Sequence, residues 1–194
     1  MRPALRLLAA VLLVSCVACG REEEPAPAPA PKPAPRQDAA AAPPAADVES
    51  EVQRIETHCG EVLGQLSELR KVERDLKGLS TEGGTLQAWL DGKRPALFRA
   101  TIYGETGRSE PEICFGKGGR LRRATIRESR YDRPLGKVVS TREDRLYFQG
   151  ETLIRWIGPD GQPVPADRPE HGVKGKEVLE LSQQLVEAAQ EGKT

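Results

Sequence analysis

A proline- and alanine-rich tract near the N-terminus limits most strongly how this chain can fold. Residues 21–46 hold eight of the sixteen prolines, which alternate with alanine over much of the tract. Proline lacks an amide donor and alanine buries little surface, so such a tract forms no helix, sheet or core. We expect a semi-rigid spacer that rises ~3.1 Å per residue and reaches at most ~80 Å. The folded part must therefore lie within residues 48–194, enough for one compact domain.

Residues 1–15 combine a basic start with a short apolar run. Arg2 and Arg6 come before the run, and residues 7–14 carry no charge. The run is far shorter than the ~20 residues of a membrane-spanning helix. A secretory signal has this pattern. The sequence therefore predicts export, and no other stretch is long and apolar enough to predict a transmembrane segment.

The end of this run resembles the lipobox of bacterial lipoproteins, in which an aliphatic residue and small residues precede an invariant cysteine. Here Leu13, Val14 and Ser15 precede Cys16. The resemblance implies a diacylglyceryl group on the Cys16 sulfur, cleavage before Cys16 and acylation of the new N-terminus. Two or three acyl chains hold a protein firmly in a bilayer, whereas one holds it marginally.

Cys19 is the alternative lipidation site, since small residues precede it as well. It departs from the pattern because Cys16 occupies the aliphatic position. In the family, Asp after the lipidated cysteine signals retention in the inner membrane. Val17 or Gly20 follows here, which favours the outer membrane, with the protein facing the periplasm or the cell surface. We thus assign 1–15 to the signal peptide, 16–47 to the lipidated tether and 48–194 to the domain.

An apolar stripe predicts a long helix at the start of the domain. Asp47 is a suitable N-cap, and the stripe alternates spacings of four and three until the chain reaches Gly78. Gly60 and Gly64 weaken an isolated coiled-coil helix but permit close packing, so we expect this helix to lie on a sheet. The stripe comprises Val48, Val52, Ile55, Cys59, Val62, Leu66, Leu69 and Leu76.

Strand patterns follow from residue 85 to residue 164, separated by glycine-rich turns. Phe98, Ala100 and Ile102 alternate with polar residues, and Asp91-Gly92 is a strong hairpin signal. A final helical face contains Val178, Leu181, Leu185, Ala188 and Ala189. The order predicts an α+β domain, an antiparallel β-meander of about six strands with both helices packed on one face.

Catalytic and metal sites are not apparent in the sequence. The two histidines, His58 and His171, lack partners at ligand spacing, and we expect both on the surface. No serine-nucleophile motif is present, and the glycines of 116–119 lead into a strand rather than a helix, unlike a phosphate loop. The carboxylate pairs Glu110/Glu112 and Glu143/Asp144 fit a solvated surface. No enzyme, cofactor or metal is therefore predicted.

Positive charge is concentrated in one part of a chain whose formal net charge is zero. The overall balance gives no case for nucleic-acid binding. Residues 117–145, however, hold ten basic and four acidic side chains. We expect either ordinary sheet surface or a basic contact face for an anionic envelope polymer or an acidic protein. That face would comprise Arg120, Arg122, Arg123, Arg127 and Arg130.

Cys59 and Cys114 are the only cysteines in the domain. An exported compartment is oxidising in many bacteria, which favours a disulfide between them. Cys114, however, has the opposite strand parity to Ile113 and Phe115, so two separately buried thiols remain an alternative.

Taken together, the sequence predicts a non-enzymatic envelope lipoprotein that binds a bilayer through its acyl chains. An envelope hydrolase, or a carrier with a cavity between sheet and helices, is the alternative function.

Overall fold

The computed structural model describes residues 45–132 and 136–190. The predicted signal peptide, Cys16, Cys19 and most of the tether lie outside the described residues. No described helix is both long and apolar enough to cross a bilayer. The elements run in the order α1 (Ala45–Gly64), a 3-10 turn (Leu66–Glu68), β1 (Arg70–Leu76), β2 (Gly84–Asp91), β3 (Arg94–Gly104), β4 (Gly107–Phe115), β5 (Leu121–Tyr131), β6 (Val138–Gln149), β7 (Thr152–Ile157) and α2 (Pro169–Gln190).

The strands form one antiparallel meander, in which each strand pairs with its neighbours in sequence. Tight turns make this order accessible. Gly92, in the turn between β2 and β3, has a φ of 63°, which L side chains rarely adopt. At Gly107 a Cβ atom would lie 2.1 Å from the carbonyl oxygen of Ser129, so only glycine lets β4 start this close to β5. The α+β class and the antiparallel meander are confirmed.

The sheet has seven strands rather than about six, because the first helix ends earlier than its apolar stripe indicates. α1 stops at Gly64, and the last members of the stripe lie beyond it. Leu76 belongs to β1, which pairs along its whole length with β2. A spacing of seven residues between Leu69 and Leu76 fits a helix, but Val72 and Leu76 also share one face of a strand. The prediction of helix up to Gly78 was wrong.

The two helices cover opposite faces of the sheet, which corrects the prediction that both pack on one face. α1 buries Ile55 and Cys59 against Trp89, Leu97, Cys114 and Tyr147. α2 buries Val178, Leu185 and Ala189 against side chains of the opposite parity, among them Ala88, Phe98, Ile113 and Leu146. Because successive side chains of a strand point to opposite faces, these two clusters are separate cores. The domain is a three-layer sandwich with the sheet in the middle.

Candidate functional site

Two of the five arginines of the predicted basic face lie at the interface between β5 and α1. Arg122 forms an ion pair with Glu51, and Arg123 donates to Glu56 Oε2 at 2.6 Å. The side chain of Arg123 is only 11% exposed. These contacts join a strand to a helix that is about seventy residues earlier in sequence. The positive charge at Arg122 and Arg123 is therefore neutralised within the domain and fixes α1 on the sheet.

A network of charged and polar groups extends from Arg123 in two directions. Arg123 also donates to Glu112 at 3.2 Å, and Glu112 accepts from Arg99 at 2.9 Å. On the other side, the Tyr147 hydroxyl donates to Glu56 Oε1 at 2.6 Å. Burial, followed by the hydrogen bond and the charge of Glu56, raises the pKa of Tyr147 to about 12. Tyr147 thus stays protonated and acts as a donor at physiological pH.

The other three arginines do not join Arg122 and Arg123 in one surface. Arg120 is exposed in the turn before β5. Arg127 is exposed and forms an ion pair with Glu143 at 2.8 Å. Arg130 is exposed and, by strand alternation, faces the opposite side from Arg127. The structure therefore distributes the five arginines over an interface, a turn and both faces of one strand.

The carboxylate pairs noted in the sequence all bind groups within the domain. Glu110 pairs with Arg108 at 3.0 Å, and Glu112 is held by Arg99 and Arg123. Asp144 is buried and accepts the indole N–H of Trp156 at 2.8 Å. Its neighbour Glu143 points to the opposite face. These carboxylates thus perform structural pairing rather than converging on a common substrate position.

Cys59 and Cys114 form a disulfide that joins α1 to β4, with their Cα atoms 6.0 Å apart. Both residues are fully buried in the core beneath α1. The parity of Cys114 places it on the face opposite Ile113 and Phe115, and this is the face that α1 covers. The alternation that argues against the pairing in the sequence is therefore what brings the two cysteines together.

The histidines occupy two different environments. The His58 ring donates from Nε2 to the carbonyl oxygen of Phe115 at 2.9 Å, which ties α1 to the end of β4. His171 was expected on the surface but is buried in the first turn of α2, with its ring 6.3 Å from that of Trp156. Burial lowers the pKa of His171. Within the described residues no cluster of three or more His, Cys, Asp or Glu is arranged to hold a metal ion.

Two open clefts lie at the end of the sheet that carries the β2–β3, β4–β5 and β6–β7 turns. One, of about 300 Å³, lies beside α1 and includes His58, Glu61 and Lys117. The other, of about 570 Å³, lies beside α2. Its apolar part contains Phe115, Leu121, Leu179 and Val186, and its polar part Arg120, Glu151, Ser182, Gln183 and Glu187. This second cleft has the size and mixed lining of a small-molecule site.

Sequence reasoning missed the acidic residues of α1 that bind the sheet. Glu49, Glu51 and Glu56 contact Arg155, Arg122 and Arg123 respectively. The available signal was the combination of an acidic helix with a locally basic strand region, but it does not specify which charges meet.

No protein-family model, curated protein sequence or solved structure matches this chain.

Proposed function

We propose that the chain is a non-enzymatic lipoprotein of the cell envelope, whose folded domain serves as an interaction or structural module. The observation that carries this proposal is the lipobox-like sequence ending at Cys16, followed directly by the proline-rich tether. Acyl chains at Cys16 would hold the protein in the outer membrane, facing the periplasm or the cell surface. The tether would let the domain contact partners tens of ångströms from the bilayer, since it can span up to ~80 Å.

The buried disulfide supports export from the cytoplasm. Disulfides persist in oxidising compartments such as the periplasm and are rare where thiols are kept reduced. Cys59 and Cys114 are both fully buried, in a core shared by α1 and the sheet. The bridge therefore belongs to the packing of the domain, as expected for a protein that folds after secretion.

The pairing of the charged groups supports a contact function over hydrolysis. Hydrolysis by two carboxylates requires that they flank a bound substrate a few ångströms apart. In this domain Glu112 and Glu143 are held by arginines, and Asp144 is buried against Trp156. These carboxylates are engaged within the protein, so they favour a structural role.

Transport of a small amphipathic ligand is a second candidate function, and the cleft beside α2 favours it. The cleft combines an apolar floor with a polar rim and is open to solvent at about 570 Å³. A carrier would copurify with its ligand, and Val186→Arg would place a charge in the cleft and prevent this. Mass spectrometry of small molecules extracted from the native protein and from the variant tests the idea. Identical extracts would argue against a carrier.

Metabolic labelling with an alkyne fatty acid tests the main proposal. We expect the parent chain and Cys19→Ser to incorporate the label and to fractionate with membranes, whereas Cys16→Ser loses both properties. Label that survives Cys16→Ser but disappears in Cys19→Ser would move the anchor to Cys19. Absence of label from the parent chain would overturn the proposal that this is a lipoprotein.

A further inference from the structure

β6 has an outer edge that β7 covers only in part. β6 spans Val138–Gln149, but β7 pairs only with its second half, beginning at Arg145. On that side, no strand of the described residues pairs with 138–144. The first five residues of β6, from Val138 to Arg142, are all exposed. Backbone donors and acceptors along such an edge can pair with another strand.

The composition of this edge favours pairing. Val138, Val139, Ser140 and Thr141 carry no charge, and three of them are β-branched, as suits a strand. Val138 and Val139 are 51% and 61% exposed. The edge thus combines unpaired backbone groups with exposed apolar side chains.

The edge of the sheet at β1 has the opposite character. β1 forms the far side of the meander, and five of its seven residues are charged. Charged side chains on an edge strand oppose addition of a further strand. Of these two edges, the one on β6 is therefore the more suitable for pairing.

We infer that the free edge of β6 pairs antiparallel with the same edge of a second copy of this chain, around a two-fold axis at Ser140. Ser140 is the midpoint of the exposed run, and this centre places Val139 opposite Thr141 of the second copy. It also places Lys137 opposite Glu143 of the second copy at both ends of the pairing. A centre at Thr141 would instead set Val139 opposite Glu143 and Val138 opposite the buried Asp144.

Self-complementarity of this kind gives a closed dimer. Each copy uses the same edge, so this isologous two-fold contact occupies the β6 edge of both copies and does not itself propagate a filament. β7 limits the contact to a short strand, because it occupies the remainder of the edge from Arg145 onward. The inference deepens the proposed interaction role by naming a second copy of the chain as the partner. Because the pairing requires no acyl chain, the dimer and the lipid anchor can each be disproved without the other.

Disulfide trapping in intact cells tests the pairing with the full chain. Directly opposed residues of an antiparallel pair have Cβ atoms about 5 Å apart, which lets Ser140→Cys form a bridge across the two-fold axis. We expect a band of twice the monomer mass on a non-reducing gel, well above the background of the parent chain. Val173→Cys, on exposed α2 surface (57% exposed), is the matched control and should stay at background.

A second set of variants separates pairing from chance collision. Val139→Lys in the Ser140→Cys chain should reduce the dimer band at least fivefold, whereas Val173→Lys in the same chain should leave it unchanged. Native mass spectrometry in detergent, on chains that keep Ser140, should give a dimer for the parent and a monomer for Val139→Lys. A monomeric parent, or a Ser140→Cys band that Val139→Lys does not reduce, would overturn the inference.

Discussion

Arg123 joins β5 to both α1 and β4 through its ion pairs. It is nearly buried and contacts Glu56 of α1 and Glu112 of β4 at once. Arg127, four residues later on the same strand and face, forms an exposed pair with Glu143. The two arginines belong to the same charged stretch of sequence, but only one of them joins elements across a core interface. Burial, rather than charge alone, therefore decides what each contributes.

Replacing Arg123 should destabilise the domain far more than the same change at Arg127. Arg123→Gln leaves the partly buried Glu56 without a cation and Glu112 with Arg99 alone, which we expect to cost about 2–3 kcal/mol of unfolding free energy. Arg127→Gln breaks an exposed pair and should cost about 0.5 kcal/mol or less. Urea unfolding of the two variants measures the difference. Equal losses would contradict the role assigned to Arg123.

His171 should make stability depend on pH. Burial lowers the pKa of His171 below its usual 6.5 in the folded state. The unfolded chain then binds a proton more readily, so the unfolding free energy falls as the pH drops below about 6.5. We expect His171→Gln to have a shallower decline between pH 7 and pH 5.5 than the parent, measured by urea unfolding. Parallel pH profiles would show that His171 does not titrate in a buried site.

At the scale of elements, strand parity was the most informative feature of the sequence and also the one most easily misread. Period-two alternation and glycine turns predicted the meander correctly. The side on which a helix packs depends on long-range contacts, such as Cys59 with Cys114, that local periodicity does not specify. The end of α1 was missed for a similar reason. The spacing of the apolar side chains in residues 69–76 fits either a helix or a strand. The segment forms a strand because it pairs with β2.

The disulfide should contribute substantially to the attachment of α1. It closes a loop of 55 residues between the helix and β4. Loop-closure entropy alone gives about 4 kcal/mol, and native disulfides of small secreted domains are typically worth about 2–5 kcal/mol. We expect Cys59→Ala with Cys114→Ala to lower the urea midpoint accordingly. The matched measurement is the effect of reductant on the parent, which should approach the same midpoint. An unchanged midpoint in both would contradict the assigned role.

At the scale of the whole molecule, the sequence predicts where the protein is anchored but does not predict which surface of the domain makes contacts. Cys16 and the tether predict delivery and reach because a lipobox and a polyproline tract are local patterns. The candidate contact surface could not be predicted in the same way. The arginines singled out in the sequence divide between an interface and solvent, whereas the β6 edge becomes visible only when the lengths of β6 and β7 are compared.

The intact mass of the protein extracted from the envelope without reduction tests the central claim most directly. We predict a chain of residues 16–194 that carries the mass of its acyl groups and lacks the two hydrogens removed by the Cys59–Cys114 disulfide. After denaturation and alkylation the same sample should carry one blocked thiol, at Cys19, without reduction and three after reduction. A processed chain without acyl mass, or an uncleaved chain that begins at Met1, would contradict the account of an exported, lipid-anchored domain.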